Sequence, residues 1–168
     1  MTAPKQALAS KPFLATAPRF VDAGEAERLQ QAIQNRIAQR AHQLYEESGY
    51  QSGNDQRHWF QAEAEVVQRT LTVRESGSWI TIIGDLPGSS AEDVQIFVDP
   101  RRIIVTTKSP DAESAASTER AAEHFFMADL QVDVQPSTAA ASLKDEKLSL
   151  MVKKSFPAAV APIDFARR

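Results

Sequence analysis

Four side chains in the first half of the chain are of types that could hold a metal or move a proton: His42, Tyr45, His58 and Glu63. A two-histidine, one-carboxylate site needs ligands that converge from more than one element, with hydrogen-bonded support behind them. His42 and Tyr45 are three apart on one helical face, whereas His58 and Glu63 are five apart and fall on different faces. Packing of His58 and Trp59 within a helical pair, with hydrogen bonds from the imidazole, is the simpler expectation. Asp85, Glu92 and Asp93 gather around Pro87-Gly88, where carboxylates cap turns more readily than they pair for acid–base work. His124 precedes a strand without a partner in view, and Arg101-Arg102 reads as a solvated turn. The chain has no cysteine, which removes disulfides, thiolate metal sites and a cysteine nucleophile together. It has no G-x-x-x-x-G-K-(S/T) phosphate loop either. We therefore expect no catalytic residue, no metal and no cofactor.

Those side chains need elements to position them, and composition bounds what the elements can build. With 168 residues, 42% of them apolar, one domain plus an appendage is the soft expectation. Net charge is −3 and no basic stripe tracks phosphates, so nucleic acid is not an expected partner. No apolar run approaches the roughly 18 residues of a membrane span, and no membrane partner is expected. Residues 1–21 are basic and free of acids, which faintly resembles an organelle transit peptide. A flexible arm on a cytoplasmic protein is the preferred reading.

That arm carries Pro4, Pro12 and Pro18, which prevent a continuous helix, and presents the apolar pairs Phe13-Leu14 and Phe20-Val21. From Asp22 the texture becomes helical. Asp22 and Glu25 form a capping box, and Leu29, Ile33, Ile37, Ala41 and Leu44 recur on one stripe up to a stop at Gly49. Asp55 should cap a second helix with the stripe Trp59, Ala62 and Val66, Phe60 and Val67 lying alongside. A helical hairpin over residues 22–69 is too small to hold a large core. It must pack on another surface, or on its own copy in a partner. The segments from Arg40 to Gly49 and from Asp55 to Glu65 resemble a short bacterial domain family of unknown function, patterned R-A-(Y/H)-x-(L/I)-(W/Y)-E-x-x-G and D-x-x-H-W-x-x-A-E-x-E.

The rest is β-rich. Leu71–Arg74, Ser78–Ile83, Val94–Val98, Ile103–Thr107, Phe125–Val134, Ala140–Lys144 and Lys147–Lys153 read as seven short strands. Short turns such as Asp85–Ser90 and Asp99–Arg102 require antiparallel pairing. The fold class is mainly β, an immunoglobulin-like antiparallel sandwich over residues 70–154 behind the N-terminal α-helical hairpin. Val94, Ile96 and Val98 share one face, which leaves Phe97 pointing the other way. Ser109–Glu123 is rich in small and acidic residues and reads as a loop, and residues 155–168 as a flexible tail.

Gly84-Asp85-Leu86-Pro87-Gly88 followed by Ala91-Glu92-Asp93-Val94, and then Leu130 through Leu148, resemble two blocks of the α-crystallin domain of small heat-shock proteins. The likeness spans residues 71–154. Gln131 stands where that family has proline, and Glu146-Lys147 where it has Gly-Val. A type I′ turn there would need non-glycine residues at positive φ, so another turn geometry is expected. The strand Phe125–Leu130 has no arginine, which many relatives carry, and Ser109–Glu123 lacks the strand that many bacterial relatives swap into a partner.

The resemblance implies an ATP-independent holdase without a chemical step. Its partners would be unfolded or partly folded clients and further copies of the chain, in a dimer or larger homo-oligomer. It implies a groove with Val94, Ile96 and Val98 on one side and Ala141 and Leu143 on the other, into which the tail residues Ile163 and Phe165 would dock. Phe13, Leu14, Phe20 and Val21 are the candidate client contacts in the arm. The rival expectation is a non-chaperone scaffold or regulatory interaction module on the same sandwich.

Overall fold

The computed structural model describes residues 17–108 and 123–156. Helix α1 (Ala23–Glu47) starts as its sequence predicts: the Asp22 carboxylate accepts from the Glu25 N–H at 2.8 Å, and the Glu25 carboxylate accepts from the Asp22 N–H at 3.3 Å. It stops at Ser48, after which Gly49 and Tyr50 both adopt positive φ (76° and 61°). Helix α2 (Asp55–Val66) is capped at Asn54, not Asp55, and no side-chain hydrogen bond closes that cap. Asp55 is instead the first helical residue, where its charge favours the helix N-terminus.

Among the described residues nine strands follow one another as β1 (Arg19–Phe20), β2 (Val67–Gln68), β3 (Thr72–Ser76), β4 (Trp79–Asp85), β5 (Val94–Asp99), β6 (Arg102–Lys108), β7 (Glu123–Asp129), β8 (Val134–Lys144) and β9 (Lys147–Lys154). They form two sheets, ordered β1-β5-β6-β7-β2 and β3-β4-β9-β8. Five of the nine, β3, β4, β5, β6 and β9, match the expected strands closely, whereas β8 starts at Val134 and not at the expected Ala140, running through the expected turn Pro136-Ser137 with a register shift between Gln135 and Ala140. The run expected as one strand from Phe125 to Val134 is broken: β7 ends at Asp129, Leu130 donates to the Arg101 carbonyl at 2.8 Å, and Val134, which opens β8, donates to the Pro100 carbonyl at 2.9 Å. The two unexpected strands, β1 and β2, are two residues long and join the first sheet in parallel, against the expectation of purely antiparallel pairing.

Two cores result. Between the sheets lie Ile80, Ile82, Leu86, Val94, Ile96, Ile103, Val105, Leu148, Leu150 and Val152, all fully buried. The second core joins the helical hairpin to the outer face of the first sheet: Ile33, Ile37, Leu44, Ala62 and Val67 pack with Ile104 and Phe125. Leu29, Ala41, Trp59, Val66, Phe97 and Met127 complete it. Of the two surfaces open to the hairpin, it takes its own chain's sheet, giving three layers. Phe97, which points outward from its strand, is thereby covered rather than left as a surface patch. Arg69 links the layers, donating to Asp129 at 2.8 Å and to Glu63 at 3.2 Å.

The β8–β9 connection also departs from expectation. Asp145 and Glu146 form a two-residue turn with φ of 50° and 62°, the signature of type I′ without a glycine. Such a conformation costs an L-residue roughly 1–2 kcal/mol, and Glu146 is anchored in return. Its carbonyl accepts from the Leu86 N–H at 2.7 Å, and its carboxylate accepts from the Gly88 N–H at 2.9 Å. The Asp85–Gly88 segment therefore fastens this turn.

Candidate functional site

The groove expected between β5 and β8 sits at one open side of the sandwich, where these strands come together across the two sheets. Among the described residues β8 ends its sheet, and its outer main-chain edge pairs with no other strand. Its inward positions Ala139, Ala141 and Leu143 are half-buried against the core. On the β5 side, Val94 and Ile96 are fully buried and Val98 is 8% exposed. These three belong to the core floor, while Ala141 and Leu143 remain nearer solvent.

The β5 edge is occupied by the chain itself. Arg19 pairs with Gln95 and Phe20 with Ile96 in parallel register, and the Val21 N–H donates to the Ile96 carbonyl at 3.0 Å. Paired residues in a ladder share a face, so Phe20 lies on the side of Ile96, toward the second sheet. Pro18, two residues earlier, shares that side and is buried, whereas Phe20 keeps 40% of its surface exposed. Arg19 lies on the other face and donates to the Glu25 carboxylate. Hydrogen bonds from Arg19 first and from the Asp22 N–H second hold the Glu25 carboxyl below its ordinary range, and the hydrogen bond to Glu25 and then its charge hold the Arg19 guanidinium above its own.

Of the four arm residues proposed from sequence, Phe20 and Val21 are thus part of, or tied to, an edge strand rather than free chain. Phe13 and Leu14 lie outside the described residues, as do Ile163, Phe165 and the loop from Ser109. In the sequence Pro18 stands out only as a helix breaker, and Arg19 not at all. A signal for them exists, since Pro18-x-Phe20 has the same apolar-x-apolar spacing as Ile163-x-Phe165.

The titratable residues of the hairpin do not converge. His42 is exposed and lies 3.4 Å from Glu46 on its own helix. His58 is 8% exposed and stacks edge-on to Tyr45, their centroids 6.3 Å apart. Its Nδ1 is buried with no hydrogen-bond partner among the described residues, so packing is found there where packing and hydrogen bonding were both expected. A depression of about 330 Å³ at the loop end of the hairpin, where α1 turns into α2, is lined mainly by polar side chains, among them Glu47, Gln51, Asn54, Arg57 and Gln61. Among the described residues no group of three or more His, Cys, Asp or Glu gathers as metal ligands. No helix among them is long and apolar enough to cross a membrane.

A family model described as "Protein of unknown function (DUF2934)" matches residues 33–68, from within α1 through α2 to β2. No curated protein matches the chain. Among solved structures, heat shock protein 16.0 from Schizosaccharomyces pombe is 15% identical, with 54% of this chain and 69% of that one covered and a TM-score of 0.43. The hspA of Xanthomonas axonopodis is 16% identical, covering 55% and 97%, TM-score 0.43. The rat alpha crystallin domain is 16% identical, covering 54% and 95%, TM-score 0.37. Likenesses at these scores carry no argument about activity, and the architecture rests on this chain's own strands: a mainly β, two-sheet sandwich with an N-terminal helical pair on one face.

Proposed function

We propose that the chain is an ATP-independent holdase of the small heat-shock type, which binds exposed apolar segments of partly unfolded proteins and keeps them from aggregating. The observation that supports this reading is the pairing of Arg19–Phe20 on β5: this edge accepts a short extended segment with main-chain hydrogen bonds. Strand addition of that kind draws affinity from the backbone and selectivity from alternate side chains. Covering client surface is worth roughly 25 cal/mol per Å², enough for reversible competition with self-association. The groove residues Val98, Ala141 and Leu143, together with the arm residues Phe13, Leu14, Phe20 and Val21, would make the apolar contacts. Ile163 and Phe165 of a neighbouring copy would dock at the same edge, and repetition around an oligomer would add avidity.

A scaffold or regulatory module on the same sandwich is the second reading, favoured by the edge being filled in cis. Light scattering from an aggregating model client separates the two, with the full chain and with residues 1–21 removed, alongside oligomer mass by size-exclusion with multi-angle scattering. The holdase is expected to suppress scattering and to assemble beyond a dimer. Absence of suppression at equimolar protein, from a plain monomer or dimer, sinks it.

A further inference from the structure

The two helix ends that meet at the loop of the hairpin are finished differently. Where α1 stops, the N–H groups of Ser48, Gly49 and Tyr50 turn back to the carbonyls of Leu44, Glu46 and Tyr45 at 3.0, 3.0 and 3.1 Å. Where α2 starts, the Asn54 carbonyl accepts from the His58 N–H at 2.9 Å, but the Asn54 side chain closes no cap. The N–H groups of Asp55, Gln56 and Arg57 precede the first helical hydrogen bond, and among the described residues nothing accepts from them. The depression of about 330 Å³ lies between these two ends, and His58 forms part of its wall. His58 is buried, and its Nδ1 is sealed from solvent. Nε2 has no partner among the described residues either, yet is not sealed, so it is the nitrogen that the depression can serve. The ring proton is therefore assigned to Nε2. A helix start without its side-chain cap and a buried donor without its acceptor share one concavity.

Charge narrows what can sit there. Arg57 pairs with no carboxylate among the described residues. Glu47 accepts from Arg40 at 3.1 Å through one oxygen, which leaves the other open. One unpaired cation and one half-used carboxylate thus line the same space. A dianion would meet the Glu47 charge, whereas a single carboxylate with an ammonium beside it satisfies both. We propose that the loop end of the hairpin binds a free α-amino acid with a polar side chain. Its carboxylate accepts from Arg57, from the His58 Nε2–H and from the open N–H groups at the start of α2, where the helix dipole favours negative charge. Its ammonium donates to Glu47, and the carboxamides of Gln51 and Asn54 meet its side chain. The depression stands at the lower end of the volumes of small-molecule sites, which suits one amino acid. No residue of the β5–β8 groove takes part, so the site is independent of the holdase reading.

The test follows thermal unfolding of the full chain with each of the standard amino acids in turn, since a ligand of the folded state alone raises the melting temperature by mass action. Those that raise it are then titrated by amide chemical-shift mapping. At least one polar amino acid should stabilise the chain, and its saturable shifts should centre on Asp55, Gln56, Arg57 and the His58 ring. Its α-amide, which lacks the carboxylate, and its N-acetyl derivative, which lacks the ammonium, should each bind about tenfold or more weakly, the order expected for a lost charge-assisted hydrogen bond. Arg57→Ala and Glu47→Gln change exposed side chains and should weaken binding by a similar factor. Arg74→Ala, an exposed arginine on the second sheet, should leave it unchanged. A rise in melting temperature that Arg57→Ala shows equally is solvent exclusion and overturns the site. So does the absence of binding by every amino acid, or binding that survives loss of either the carboxylate or the ammonium. Inorganic phosphate that produces the same shifts as tightly would mark a general anion site and overturn the amino-acid assignment.

Discussion

The outer faces of the two sheets differ in a way that can be read along their strands. In the second sheet, β4 and β9 alternate buried and more exposed positions: Ile80, Ile82, Leu148, Leu150 and Val152 turn inward, while Trp79, Met151 and Lys153 turn out. In the first sheet, five consecutive β6 residues, Ile103 to Thr107, are buried. In β7, Phe125 and Phe126 are both buried on opposite faces. A strand covered on both sides loses its alternation. The helical hairpin is what covers β6 and β7, and unbroken apolar runs in a supposed one-sided sandwich were the trace it left in the sequence.

The comparison can be broken most severely at Phe125, which is 2% exposed beneath the hairpin. Phe125→Ala should lower unfolding free energy in urea by about 3–5 kcal/mol. Met151→Ala on the uncovered face, where Met151 is 44% exposed, should stay within about 1 kcal/mol. Similar losses at the two sites would mean that the hairpin does not bury the first sheet. Next in size is Ala62, fully buried where α2 meets that sheet. Ala62→Leu overpacks the contact and should destabilise by about 1–3 kcal/mol. A neutral result in chemical denaturation would point to a loose helix–sheet layer.

A smaller effect sharpens the second sheet. Asp145→Gly relieves one positive-φ residue in the β8–β9 turn and should raise stability by about 0.5–1 kcal/mol, read as a higher urea midpoint at unchanged slope. The smallest concerns the Arg69–Asp129–Arg102 cluster that ties hairpin to sheet. Hydrogen bonds from Arg102 and then Arg69 hold the Asp129 carboxyl below its ordinary range. A depressed carboxyl stabilises the fold above its unfolded pKa and loses that contribution as pH falls through the folded value. Asp129 is largely solvent-accessible, so the effect is modest. Asp129→Asn should slightly flatten the acid limb of a melting-temperature profile, and an unchanged limb would remove the cluster from the account.

Local signals carried most of the elements. The capping box at Asp22 and Glu25, the stripe from Leu29 to Leu44 and the alternation of Leu148, Leu150 and Val152 each depend on neighbours a few residues away, and each is where it was expected. What the sequence hid depends on distant partners. Positive φ at Glu146 is tolerated because Leu86 and Gly88, some sixty positions earlier, hold it. Arg19–Phe20 becomes a strand through an edge supplied by Gln95 and Ile96. Two residues carry no periodicity, so no pattern could have announced them. The expected groove residues were legible as a shared face, but their depth was not: Ile96 is core because a second sheet and a borrowed strand close over it.

Val67 ends α2 as its cap and in the same residue opens β2 against β7. Helix and sheet are therefore spliced without a joint. A torque on the hairpin passes directly into the ladder, which leaves no slack for a hinge between them, and calorimetry should record one melting event in which helices and sandwich are lost together.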